Sequence, residues 1–142
     1  MQIKFKKIYP EAFTPKQGTP GSAGFDLTAI SCRFDERYSV WEYGTGIAVE
    51  IPKGYVGMVF PRSSVYKTGD FLSNCVGIID SDYRGEIKAK FYSIKQLWDD
   101  PYKLGDRICQ LVIVPIPEVE YIEVDNLSVT ERGAGGYGST GK

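Results

Sequence analysis

The sequence predicts an all-β fold, a sandwich, jelly roll or barrel, with one helical turn and a glycine-rich tail. Two observations carry this. Apolar residues recur with a period of two, the periodicity of half-buried strands. Glycine and proline punctuate the runs at short intervals, at Pro20-Gly21, Pro52-Lys53-Gly54, Gly69-Asp70 and Gly105-Asp106. Many short strands joined by such turns build a sheet-on-sheet or closed-sheet domain.

The elements follow in chain order. "GIAVEIP" alternates, with Ile47, Val49 and Ile51 on one face. "PRSSVYKTG" breaks the alternation; Ser63 or Ser64 is placed to cap a short helix and Gly69 to end it. In "NCVGIIDSDYRGEI", Gly77 interrupts a strand-like run, the mark of a bulge or a close approach to the backbone, and Asp80, Asp82, Tyr83 and Arg84 crowd a tight turn. "EIKAKFY" puts Ile87, Ala89 and Phe91 on one face. In "LGDRICQLVI" a turn feeds a buried strand, with Asp106 and Arg107 expected to pair at the surface and Gln110 to satisfy a backbone group. "RICQLVIVPI" is apolar on both faces, so both need cover, from a second sheet or a partner subunit. Near residue 127 the periodicity fades. The expected organisation is a β domain over 1–127 and a flexible arm over 128–142.

Bulk properties narrow the function. A chain of 142 residues is one domain with room for a core. A formal charge of −1 argues against a nucleic-acid binder, which usually carries a basic excess. No apolar run reaches membrane-spanning length, and the N-terminus lacks the apolar block of a signal peptide. The three scattered cysteines suit reduced thiols in a cytoplasmic setting. The absence of histidine excludes Ser-His triads and H-E-x-x-H zinc sites, and leaves acid–base work to carboxylates, tyrosine, lysine or cysteine. A metal here is expected to be a hard ion held through oxygens.

Three segments carry candidate chemistry. Arg62, the hydroxyls of Ser63 and Ser64, and a helix start would together hold an anion, although the same features suit an ordinary capped turn. Asp80 or Asp82 beside a phosphate ester would orient and deprotonate a water, and spacing alone does not choose between them. The tail "GGYGSTGK" reads G-x-x-x-x-G-K from Gly136, a phosphate-loop pattern without its final Ser or Thr and without a following helix. Its glycines permit amides to converge on an anion, and Tyr137 offers a face for base stacking.

The ordered series "AGFDLTA" (23–29), "PRSSVYKTG" (61–69), "GIIDSDYRGEI" (77–87), "GDRICQL" (105–111) and "RGAGGYGSTG" (132–141) closely resembles the five motifs of the homotrimeric dUTP pyrophosphatases. The resemblance implies a jelly-roll-like β-barrel subunit, a homotrimer, and an arm that closes over a neighbour's site. It implies Mg²⁺-assisted hydrolysis of dUTP to dUMP and pyrophosphate, which limits uracil in DNA and supplies dUMP for dTMP synthesis. The location implied is cytoplasmic, in the host cytoplasm for a viral chain. By the same resemblance, Asp80 matches the carboxylate that positions the water attacking the α-phosphorus. Tyr83 matches the aromatic packed on deoxyribose. Asn74 and Gly77 lie in the hairpin that reads uracil through backbone groups. Arg62, Ser63, Ser64 and Gln110 match phosphate-side contacts, and Arg132, Ser139 and Thr140 match γ-phosphate contacts of the arm. Gly136 and Gly138 flank Tyr137, which stands where phenylalanine usually covers the uracil. Asp26 matches a carboxylate near the metal's waters. Cys109 stands where alanine is commoner, and 92–103 matches no motif. Two rivals stay in view. A dCTP deaminase on this fold carries a glutamate where this chain has Lys90, and a non-catalytic nucleotide-binding module would need no hydrolysis.

Overall fold

The computed structural model describes residues 1–94 and 102–137. Ten strands run in chain order as β1 (Lys4–Lys7), β2 (Phe25–Thr28), β3 (Ser31–Asp35), β4 (Val40–Gly44), β5 (Ile47–Glu50), β6 (Tyr55–Pro61), β7 (Asp70–Leu72), β8 (Gly77–Ile79), β9 (Lys88–Ser93) and β10 (Arg107–Pro115). Among the described residues they form two four-stranded antiparallel sheets, ordered β2-β10-β6-β8 and β3-β4-β9-β7, and a β1-β5 pair. The architecture is all-β and jelly-roll-like, with the sheets separate rather than joined into a closed barrel.

Alternation explains the core. On β9, Ala89 and Phe91 are buried while Lys88 and Lys90 face solvent, and Ile87 just before it is buried too. Phe91, Tyr43 and Tyr102 meet edge-on or tilted, with ring centroids 5.3–6.0 Å apart, and each large ring removed from water stabilises the fold by about 1.5–3 kcal/mol. Leu27, Ile47, Ile108, Cys109 and Leu111 complete the same cluster. The ladder between β10 and β2 slips between Arg107 and Cys109. The extra residue, Ile108, lets two successive side chains of β10 turn inward, and both are buried.

Expected double cover of β10 is only half met within one chain. Ile108, Cys109 and Leu111 are buried, but Val112, Ile113 and Val114 keep partial exposure. After Pro115 the described chain forms no further strand, and Val119, Tyr121, Ile122, Val124, Leu127 and Val129 are all exposed.

The predicted helical turn is present as a short 3₁₀ helix, Ser63–Lys67. The expected serine cap is not: the residue at the cap position is Arg62, with no side-chain cap bond, and both serines lie inside the turn. Three-residue turns leave fewer amides to satisfy, and Thr68 closes the other end by donating its hydroxyl to the Val65 carbonyl at 2.7 Å. Gly69 follows at φ +78°, as expected of a helix stop.

Candidate active site

Two tight turns shape one cleft. After β8, the Tyr83 amide donates to the Asp80 carbonyl at 3.1 Å. The Arg84 guanidinium donates to the carbonyls of Ser81 (2.7 Å) and Tyr83 (2.9 Å), stapling the turn from outside. The Tyr83 hydroxyl donates to the Glu86 carbonyl at 3.0 Å. Its ring lies across Gly85, where a Cβ would come within 2.6 Å of the ring carbon Cζ. Gly85 is therefore what lets the ring lie flat on the turn.

Before β8, the Cys75 amide donates to the Leu72 carbonyl at 2.9 Å and Cys75 itself sits at φ +58°. This turn is not a hairpin within one ladder, as the resemblance implied, because β7 pairs with β9 and β8 with β6. It carries the chain from one sheet to the other. Gly77 approaches Val59 of β6 so closely that a Cβ there would lie 3.2 Å from the valine's, which explains the glycine within a strand.

Between the turns opens a cleft of about 550 Å³, lined by Asn74, Gly77, Asp80, Tyr83, Lys88 and Lys90 among others, a volume suited to a small ligand. It joins four of the predicted residues. Asp80 and Tyr83 are exposed to the cleft rather than buried.

Lys88 was not singled out from the sequence, and Lys90 entered only as the residue standing where a deaminase on this fold carries glutamate, although the alternation of "EIKAKFY" already put both on the face opposite the core. Glu42 of β4 holds them: its Oε1 lies 3.2 Å from Lys88 Nζ and 3.4 Å from Arg33, and its Oε2 lies 3.2 Å from Lys90 Nζ. Burial pushes the Glu42 carboxyl up, but the Lys90 and Lys88 ammoniums outweigh it and hold the group below the ordinary carboxylate range. The hydrogen bond to Glu42 raises Lys88 in turn.

A second cluster forms on the far side of β6. Asp26 Oδ1 accepts from Arg62 Nε at 2.9 Å and its Oδ2 accepts from Arg107 at 3.0 Å. The carboxylate is largely enclosed, at 12% exposure, so the two guanidiniums offset the cost of keeping it charged. Arg107 thus does not pair with Asp106, whose carboxylate instead accepts the Lys103 amide at 2.8 Å. Gln110 donates to the Pro61 carbonyl at 3.2 Å, as its backbone-satisfying reading expected, and packs against Gly24. Ser63 is exposed and Ser64 half-buried beside this cluster's arginine in sequence.

The two clusters stand apart. Ile79, before Asp80, lies opposite Gly57 of β6, whereas Gln110 lies opposite Phe60. The offset is three to four residues along the sheet and two strands across, roughly 10–13 Å by about 10 Å.

The arm contributes a third group. Arg132 donates to the Gly135 carbonyl at 2.8 Å, Gly133 takes φ +50°, and Gly136 and Tyr137 stand open to solvent. Gly138, Ser139 and Thr140 lie outside the described residues, as does most of the unassigned stretch before β10.

Among the described residues no three carboxylate or thiol groups gather as a metal nest. Asp26 has both oxygens committed to guanidiniums. Near Asp26, the residue expected beside a metal's waters, the two guanidiniums leave the carboxylate to meet a hard cation through water rather than directly.

A family model described as dUTPase matches residues 11–141. The deoxyuridine 5'-triphosphate nucleotidohydrolase of Nautilia profundicola is 45% identical over the whole of both chains. The dUTPase of Staphylococcus bacteriophage 80alpha, solved with dUPNHPP, superposes with a TM-score of 0.81 at 26% identity over 99% of each chain. A mutant dUTPase from phage phi11 of S. aureus, a structure concerned with the coordination of a structural Mg(II) ion, shares the fold at a TM-score of 0.74, 22% identity and 89% and 98% coverage. With the motif series, the cleft and a family match over most of its length, the chain belongs to the dUTPase family.

Proposed function

We propose that this protein hydrolyses dUTP to dUMP and pyrophosphate by attack of water on the α-phosphorus. The observation that carries the reading is the cleft that gathers Asn74, Gly77, Asp80 and Tyr83 beside two tight turns. Asp80 orients the water and accepts its proton, a role typically worth about 10²–10⁴ in rate. Tyr83 packs on the deoxyribose and leaves no space for a 2′-hydroxyl. The backbone around Asn74 and Gly77 reads the uracil. Arg62, Ser63, Ser64 and Gln110 contact the phosphates, with Arg62 held in place by Asp26. When bound, Mg²⁺ neutralises much of the triphosphate charge and fixes its shape.

The site is completed by other copies of the chain in a homotrimer. Two features support this: the separation of Asp80 from the Arg62–Gln110 cluster, and the half-exposed apolar face of β10 with the exposed apolar run after it. The arm, 128–142, closes over a neighbouring site through Arg132, Ser139 and Thr140, with Tyr137 on the base. Its glycines act as an anion grip delivered from outside rather than a loop opening a helix. The enzyme works in the cytoplasm.

The test is pyrophosphate release with Mg²⁺ from dUTP, dTTP, dCTP and UTP compared side by side. Release from dUTP alone is expected. Release from none, with dUTP bound, refutes the reading in favour of a nucleotide-binding module.

A further inference from the structure

We infer that the Glu86 carboxylate positions the Tyr83 ring, and so sets how strongly the site prefers a deoxyribose over a ribose. This rests on the proposed dUTP site and adds a positioning residue to it. The Tyr83 ring is 43% exposed, so packing does not fix it. Its position is set at the hydroxyl, which donates to the Glu86 carbonyl at 3.0 Å. Among the described residues, the other side-chain bonds of 80–85 stay within the turn, where Arg84 reaches the carbonyls of Ser81 and Tyr83. Whatever holds residue 86 therefore holds the ring.

Residue 86 sits in a socket at the corner between β4 and β5. Glu86 Oε1 accepts the Gly46 amide at 2.8 Å, and its side chain is largely enclosed. Gly44 makes the room: a Cβ there would lie 2.7 Å from the same oxygen. One residue on, the Ile87 amide donates to the Ile47 carbonyl at 2.8 Å. The fully buried Thr45 hydroxyl donates to the Ile87 carbonyl at 2.7 Å. These ties fix residue 87, whereas the carboxylate is the tie on residue 86 itself, beside a glycine that has no side chain to anchor. Lys88 Nζ stands 3.8 Å from the other carboxylate oxygen, beyond hydrogen-bond distance.

The socket asks for an acceptor oxygen at one place, not for a charge facing the substrate. Glutamine keeps that oxygen and its reach. Aspartate falls one methylene short, and alanine leaves the Gly46 amide without its partner. A residue 86 set loose lets the ring swing from the sugar, which opens space for a 2′-hydroxyl and raises UTP turnover relative to dUTP.

The experiment measures kcat/KM for dUTP and UTP in the wild type, Glu86→Ala, Glu86→Asp and Glu86→Gln, and repeats the alanine variant in a Tyr83→Phe background. Glu86→Ala and Glu86→Asp should lower the dUTP:UTP ratio by about fivefold or more. Glu86→Gln should keep it within about twofold of the wild type, since the acceptor survives. Without the Tyr83 hydroxyl, Glu86→Ala should move the ratio by less than about twofold, because residues acting through one bond are not additive. Glutamine failing as badly as alanine overturns the inference, because it marks a charge acting on the substrate. So does an unchanged ratio, an equal fall on both substrates, or a full effect in the Tyr83→Phe background. Where UTP turnover is too slow to read, competition by dUMP and UMP supplies the same ratio. Wild-type protein that releases no pyrophosphate from dUTP overturns the proposed function instead, and the dUMP and UMP affinities then test Glu86 separately.

Discussion

Gly85→Ala is the substitution that tests the Tyr83 turn most directly. A Cβ at residue 85 would stand 2.6 Å from Tyr83 Cζ and 3.0 Å from Cε2, and would press on the hydroxyl as well. Ordinary carbon contacts begin near 3.5 Å, so the ring has to retreat by about 1 Å. The retreat breaks the bond from the hydroxyl to the Glu86 carbonyl, a net loss of roughly 0.5–1.5 kcal/mol. Tyr83 is 43% exposed, so the ring swings into solvent without disturbing the core. The cost therefore falls on function. A shift of that size in a positioning group costs up to about 10²-fold in rate, while Tm falls by no more than about 6 °C. Because this ring excludes a 2′-hydroxyl in the proposed reading, the dUTP:UTP ratio of kcat/KM should drop by about 10-fold or more. The assay pairs that ratio with thermal unfolding. An unchanged ratio refutes the steric account of sugar selection. Equal loss on both substrates with a large fall in Tm refutes the claim that the effect is local.

Three further outcomes are expected. Asp80→Asn should bind dUTP as the wild type does and lose about 10²–10⁴ in kcat, read by titration and by single-turnover kinetics; intact turnover would move the base role elsewhere. Deleting residues from Arg132 onward should leave the proposed trimer and its Tm unchanged while kcat/KM falls sharply, since the described residues of that stretch are exposed apart from half-buried Gly135. Burial, with the Asp26 charge adding to it, pushes the Cys109 thiol from 9.0 up to about 12. A raised folded-state pKa favours the fold while the thiol stays protonated, so its contribution is complete below about pH 9 and is lost as pH rises beyond it. The slope approaches about 1.4 kcal/mol per pH unit. Cys109→Ala should flatten that alkaline limb in denaturant titrations, and a thiol reagent at pH 8 should modify exposed Cys75 long before Cys109.

What the sequence made legible was whatever depends on local pattern. Alternation in "EIKAKFY" specified which side chains enter the core, because a strand has only two faces, and in "GIAVEIP" it picked out Ile47, Val49 and Ile51 but not Ala48, which is buried on the other face. The turn at Asp80–Tyr83 was readable for the same reason: Asp and Gly suit turn geometry whatever surrounds them. Pairings across the sheet were not readable. Arg107 lies beside Asp106 in sequence, but only the β2–β10 ladder, slipped by one residue, brings it to Asp26. The same limit hid the ion pair of Lys90, whose partner Glu42 comes from a strand 48 positions earlier and is opposite it only through the β4–β9 register. The serine cap failed on a local point: the 3₁₀ turn begins one or two residues earlier than a cap at Ser63 or Ser64 would place it.

The separation of the two polar clusters constrains how this chain can work. A triphosphate extends only about 5–6 Å from α- to γ-phosphorus, two P–O–P bridges of about 3 Å each, and Asp80 must stand near hydrogen-bond distance of a water at the α-phosphorus. Within one chain the Arg62–Gln110 cluster is more than ten ångströms from Asp80 on both sheet directions combined, with β6 and its side chains between them. Arg62 cannot swing across, because Asp26 holds its Nε at 2.9 Å and is itself clamped by Arg107. Releasing it would leave the enclosed carboxylate with Arg107 as its remaining partner. In the proposed reading, Arg62 and Gln110 therefore serve the Asp80 cleft of another copy, while Lys88 and Lys90 are the cations the chain brings to its own cleft. Mixing Asp80→Asn subunits with Arg62→Ala subunits tests this: neither parent should turn over dUTP, and the mixture should recover a fraction of wild-type activity. A mixture as inactive as its parents would show that each chain builds its site alone.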